Sequence, residues 1–117
     1  MIEDKAKDLG RLIGQSPEYL AVKRSSEALN GDPDTVSLLQ KMEQLRLDAQ
    51  RMLQKGERPT EEMERELDSL LSQIQGRATY QRLIVAQENF DKIMARVNDW
   101  ILEGMEKGAA SPIITLG

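Results

Sequence analysis

The residues best placed for chemistry are carboxylates. Glu62 and Glu66 stand four apart, so on a helix they share a face and could together hold a hard divalent cation. Dinuclear carboxylate bundles add histidines at a Glu-x-x-His spacing, and this chain has no histidine. A solvated helix start explains the same residues more simply, because carboxylates in the first turns complement the helix dipole. No metal site is therefore expected. Without His or Cys, a nucleophile or general base would have to be Ser, Lys, Tyr, Asp or Glu, tuned by a buried pocket. Ser25 and Ser26, near Lys23 and Arg24, form no catalytic spacing, and no Gly-rich phosphate loop is present. The expectation is a protein with no catalytic residues and no cofactor.

Charge and composition narrow the partners. The 16 basic and 20 acidic side chains give a net charge of -4, and the stretch Glu61, Glu62, Glu64, Arg65, Glu66 and Asp68 accounts for all of it. Such a balance repels phosphate backbones and anionic lipid heads, so neither direct nucleic-acid binding nor membrane binding is expected. A nucleic-acid site would need Lys23, Arg24, Arg77 and Arg82 to gather into one patch. The absence of cysteine excludes disulfides and thiolate-held metals and suits a reducing compartment. The opening MIEDKAKD is charged where a signal peptide needs an apolar run, and no apolar run approaches the ~20 residues of a membrane span. These features point to a soluble cytoplasmic protein.

The elements that must position these residues are all helical. The longest pattern runs from Ala78 to Lys107, where Tyr80, Leu83, Gln87, Phe90, Met94, Val97 and Ile101 recur at spacings of three and four. At ~1.5 Å per residue this helix spans roughly 45 Å, longer than a compact chain of this size is wide, so something must cover its overhang. Before it, Ile2 to Gln15 forms a short amphipathic helix weakened by Gly10 and Gly14, with Gly10 either destabilising it or admitting a close neighbour. Ser16 and Pro17 then read as N-cap and first residue of a second helix, which ends at Asn30 and Gly31 in a left-handed cap. Asp32 and Pro33 repeat the device to start a third helix, which reaches about Lys55 with Thr35, Leu38, Met42, Leu45, Ala49 and Met52 in heptad-like register. GERPT opens a fourth, begun by Pro59 at its first position or by Thr60 as N-cap, with Met63, Leu67, Leu70 and Ile74 on its apolar face. Residues 1–107 make a single domain, the long helix stops at Gly108, and 108–117 form a disordered tail.

The predicted architecture is thus all-α, about five helices, with two long antiparallel helices in a bundle that dimerisation completes. The third and fifth helices of different subunits would pair, giving a homodimer or a higher homo-oligomer. Gln87, near the centre of the long seam, suits a register-setting role, since a buried amide needs partners. Trp100 and Met105 near its end suit contact with a partner. A chaperone-like or structural bundle is the alternative, in which Met42, Met52, Met63, Met94 and Met105 hold apolar client surface.

Four short motifs carry a resemblance: S-x-E-Y from Ser16 to Tyr19, A-L-N-x-D from Ala28 to Asp32, A-Q-x-x-F from Ala86 to Phe90, and V-N-x-x-I from Val97 to Ile101. With them the chain, from about Ala6 to Met105, resembles the YlbF/YmcA family of small bacterial regulators. The resemblance implies a self-associating, non-enzymatic helical protein, related to regulators of competence, biofilm formation and sporulation whose complex is linked to an mRNA-processing endoribonuclease. Ser16, Tyr19, Leu29, Asp32, Tyr80, Ala86, Gln87, Phe90, Val97, Asn98 and Ile101 match the pattern. The chain departs from it in one respect: the complex-forming regulators are associated with Fe-S clusters held by cysteines, and here there are none.

Overall fold

In the computed structural model, which describes residues 1–110, the chain forms five helices: α1 Ile2–Gly14, α2 Pro17–Asn30, α3 Pro33–Gln54, α4 Glu61–Gln75 and α5 Ala78–Ala110. No strand is present among the described residues. The starts are set by local chemistry. Ser16 Oγ accepts the Tyr19 amide at 3.2 Å, Asp32 Oδ1 accepts that of Thr35 at 3.4 Å, and Thr60 Oγ1 that of Met63 at 3.1 Å. Thr60 is thus the N-cap of α4, with Pro59 outside the helix.

The helix ends differ from expectation in two places. Gly31 closes α2 at φ -85, an ordinary right-handed value, so no left-handed cap is used there. The left-handed glycine is Gly56 at φ 78, just beyond α3, where Glu57 N donates to Met52 O at 2.8 Å. The last helix passes through Gly108 to Ala110, because glycine costs a helix only about 1 kcal/mol and nothing else there breaks the pattern. The rest of the expected tail, 111–117, lies outside the described residues.

The helices pack as two pairs. α2 runs antiparallel to α5, with Pro17 beside Ile93 and Arg96 and Ser25 beside Arg82 and Val85. α3 and α4 form an antiparallel hairpin in which Leu45 and Ala49 face Pro59, Met63 and Leu67. Each long helix is therefore paired with a shorter one inside the chain. The two pairs meet mainly where the chain passes between them, at residues 31–32 and 76–77. The result is long and thin, 67 × 37 × 21 Å, with a radius of gyration of 21.7 Å where a compact chain of this length would have roughly 13 Å.

The buried core is correspondingly small. Leu29 of α2, Ala86 and Val97 of α5, and Leu70 and Ile74 of α4 are buried, and the Tyr19 and Phe90 rings join α2 to α5 with centroids 5.6 Å apart. The only other buried residue among those described is Thr35, and it is polar.

Candidate functional site

Two features stand out from this frame: a polar cluster at the junction of the pairs, and the outer face of the α2/α5 pair. The cluster begins with Asp32, which caps α3 and so has its carboxylate at the helix's positive end. The Thr35 hydroxyl donates to Oδ2 at 2.7 Å and the Thr79 hydroxyl to the same oxygen at 2.8 Å. Arg77, in the two-residue turn between α4 and α5, donates from Nη2 to both carboxylate oxygens at 3.1 and 3.2 Å, and from Nε to Thr35 Oγ1 at 2.9 Å. Every polar atom of the buried Thr35 side chain is thereby satisfied. Hydrogen bonds from Thr35 and Thr79, joined by Arg77, hold the Asp32 carboxyl well below the usual carboxylate range, against an opposing contribution from desolvation.

Among the described residues, the side-chain hydrogen bonds that Arg77 and Thr79 make in this cluster span 42 to 47 positions, whereas all others link positions no more than six apart. It joins the two places where the chain passes between the helix pairs. Asp32 is legible in the sequence as a cap; Arg77 and Thr79 are not legible as its partners. The one available signal is the pair of short turns, Gly31-Asp32 and Gly76-Arg77, in which glycine precedes charges of opposite sign. Arg77 is engaged here, so it does not join Lys23, Arg24 and Arg82 as a free cation.

On α5, the seam residues read from the sequence divide between two environments. Val97 is buried, and Tyr80, Leu83, Phe90 and Met94 are half-buried. Gln87 is exposed, because α2 covers the face one residue earlier in register, where Ala86 is 5% exposed. A small side chain there allows the close approach that a glutamine would block. Beyond the reach of α2 the helix is bare: Trp100, Ile101, Leu102 and Met105 are 56%, 43%, 55% and 63% exposed. Among the described residues only α1 approaches this end, with Ile2, Ala6 and Leu9 lining a shallow hollow beside Ile101. A Cβ on Gly10 would meet nothing within 4 Å, so that glycine serves no close contact inside the chain.

Met42, Met52, Met63 and Met94 are half-buried, and only Met105 of the five seam methionines is exposed. Glu61, Glu62, Glu64, Glu66 and Asp68 are all exposed on α4. No group of three or more His, Cys, Asp or Glu side chains among the described residues is gathered as a metal site would need. Among the described residues no helix is long and apolar enough to cross a membrane.

Comparison with known proteins finds relatives that match along most of the chain. UPF0342 proteins from several bacteria are similar along most of their length. That of Limosilactobacillus reuteri is 28% identical over 100 residues, 86% of this chain and 81% of the relative. The Bacillus licheniformis protein is 24% identical over 111 residues, 95% of each chain, and that of Streptococcus gordonii 27% over 105 residues, 90% of this chain and 94% of the relative. Residues 2–106 match the family described as "Control of competence regulator ComK, YlbF/YmcA". With the match covering nearly the whole chain, the protein belongs to the YlbF/YmcA family.

Proposed function

We propose that this protein is a non-enzymatic regulator or adaptor that works through protein-protein contacts and pairs with a second copy of itself. One observation carries the reading: the far end of α5 presents Trp100, Ile101, Leu102 and Met105 together, on a molecule whose described residues include only five buried apolar ones. Exposed apolar side chains around one helix end, an indole and a methionine among them, have the composition of an interface, and they cost solubility unless partners cover them. The shape supports the same reading, since an elongated chain with so small a core gains by sharing apolar surface. The family's description as control of a competence regulator supports a regulatory role. In the paired molecule α3 of one copy runs along α5 of the other.

Light scattering during gel filtration tests the self-association. A mass of twice 13.2 kDa or a higher multiple is expected, and a clean 13.2 kDa monomer at micromolar concentration would contradict it. Affinity purification from native lysate with mass spectrometry tests the adaptor role. One regulatory complex recovered in stoichiometric amount is expected; a broad set of unfolded clients would instead support a chaperone-like bundle.

A further inference from the structure

Along one side of the α2/α5 seam, where the two helices meet, runs a groove with basic edges. Its wider part, about 790 Å3, is bordered by Glu18 and Ala21 of α2 and by Lys92 and Arg96 of α5. Ala21 and Asn89 carry it into a second part of about 490 Å3 bordered by Arg82 and Val85. Arg82, Val85, Asn89, Lys92 and Arg96 recur at spacings of three and four, so they form one stripe along α5. The small and apolar side chains of Ala21, Val85 and Ala86 line it between the charges, which is the form of a seat for a helix.

The charges of this groove are unpaired among the described residues. Among the described residues Arg82, Lys92 and Arg96 make no ion pair. The one carboxylate on the groove, Glu18, has an oxygen that is buried and receives no hydrogen bond. The acidic stretch of α4 is its mirror: Glu61, Glu62, Glu64, Glu66 and Asp68 make no ion pair either, and the single cation among them is Arg65. Three cations with one odd carboxylate thus face, in chemical terms, five carboxylates with one odd cation.

Position agrees with charge. The two helices leave the same turn at Gly76 and Arg77 in different pairs, so a chain's own α4 lies against α3, away from its groove. Along each axis the acidic stretch is centred roughly 17 Å from that turn and the basic stripe roughly 20 Å from it. A two-fold relation that lays the α3/α4 hairpin of one copy on the α2/α5 pair of another would bring both sets together, twice per dimer.

We propose that this groove is the seat of α4 from a second copy, with the α4 carboxylates against Arg82, Lys92 and Arg96, and Arg65 against Glu18. The inference rests on the self-association proposed above and names the surfaces that perform it. Charge reversal tests it. In one variant Arg82, Lys92 and Arg96 are changed to Glu; in another, Glu62, Glu64 and Glu66 are changed to Lys. All six side chains are exposed, and circular dichroism checks that each variant keeps its helices. Sedimentation velocity should find each variant alone associating at least about tenfold more weakly than the unaltered protein. An equimolar mixture should regain pairing, because in the mixed dimer both contacts again join opposite charges. Association of the unaltered protein should also weaken as salt rises from about 50 to 500 mM.

An unaltered protein that is monomeric would overturn the self-association and this seat with it. A dimer that either reversal leaves intact, or a mixture that gains nothing, would overturn the seat alone. A groove-reversed variant that still pairs but loses an acidic protein recovered with the parent would assign the groove to that other partner, again against this proposal.

Discussion

The two helix pairs solve the same packing problem with different success. In the α3/α4 hairpin 22 residues are matched with 15, and the difference of roughly 10 Å is taken up by the connecting turn, whose Pro59 tucks beside Leu45 and Ala49. In the other pair 33 residues are matched with 14, leaving roughly 28 Å of α5 with, among the described residues, only the loosely held α1 nearby. One pair covers most of its own apolar face, with Leu53 bare at the end of α3; the other leaves Trp100, Ile101, Leu102 and Met105 in water. Helices of unequal length cannot bury each other's faces, so the surplus is where a partner has something to gain.

The largest test of that contrast is Ile74→Ala. Ile74 is 1% exposed on α4, and truncation leaves a cavity that the hairpin cannot easily close, at a cost of about 2–5 kcal/mol. A fall in Tm of about 10 °C or more is expected at fixed protein concentration. Trp100→Ala, on the open end of α5, should lower Tm far less while weakening association in the same samples. Equal losses from both would show the two pairs to be equally closed.

Next in size is Thr35→Val, which removes the buried hydroxyl at the junction. Arg77 Nε then loses its acceptor and Asp32 one of its donors, a loss of about 1–3 kcal/mol in a site with little room for water. Chemical denaturation should show it as a lower midpoint with an unchanged slope. A Thr35→Val variant as stable as its parent would mean that the cluster does not hold the pairs together.

Asp32 allows the same junction to be tested by pH. Its carboxyl titrates below its ordinary range in the folded chain, so the unfolded chain takes up the proton first as pH falls. The stabilisation is therefore complete above the ordinary carboxylate value of about 4 and is lost progressively as pH falls from there toward the depressed folded value. Asp32→Asn should be less stable at neutral pH and should lose less on acidification between about pH 4.5 and 2.5. A variant whose stability follows the parental pH curve in parallel would exclude this carboxyl as the source. Glu43, held low by hydrogen bonding from Arg46, contributes in the same direction and remains in both proteins.

How far the sequence can be read follows the range of the interactions. Ser16, Asp32 and Thr60 are readable as helix starts because each cap bonds an amide three residues away. The length of α5 is readable because periodicity needs only the helix itself. Periodicity names a face, though, and not what lies on it, so it puts Gln87 on the seam that Ala86 occupies. The tie of Asp32 to Arg77 joins residues 45 apart, with no pattern in the chain between to announce it. The resemblance to the family has a broader base, since short motifs spread along the chain remain visible even where no single one decides.

The smallest effects separate two glycine turns, one at the junction and one at the tip of the α3/α4 hairpin. Gly31 has φ -85 and ψ 3, and a Cβ there would meet Glu27 O at 3.5 Å and Ala28 O at 3.6 Å, ordinary contact distances. Alanine fits that conformation and gives the unfolded chain fewer states to lose, so Gly31→Ala should stabilise by about 0.4–1 kcal/mol. Gly56 has open space around its Cβ position but φ +78, and the conformation itself penalises a side chain. Gly56→Ala should therefore destabilise by about 1 kcal/mol or more. Urea midpoints for the two variants should move in opposite directions from the parent. If Gly31→Ala moved down with Gly56→Ala, the junction would need a flexibility that its backbone angles do not show, and the two pairs would be hinged there, free to swing despite Arg77 and Asp32.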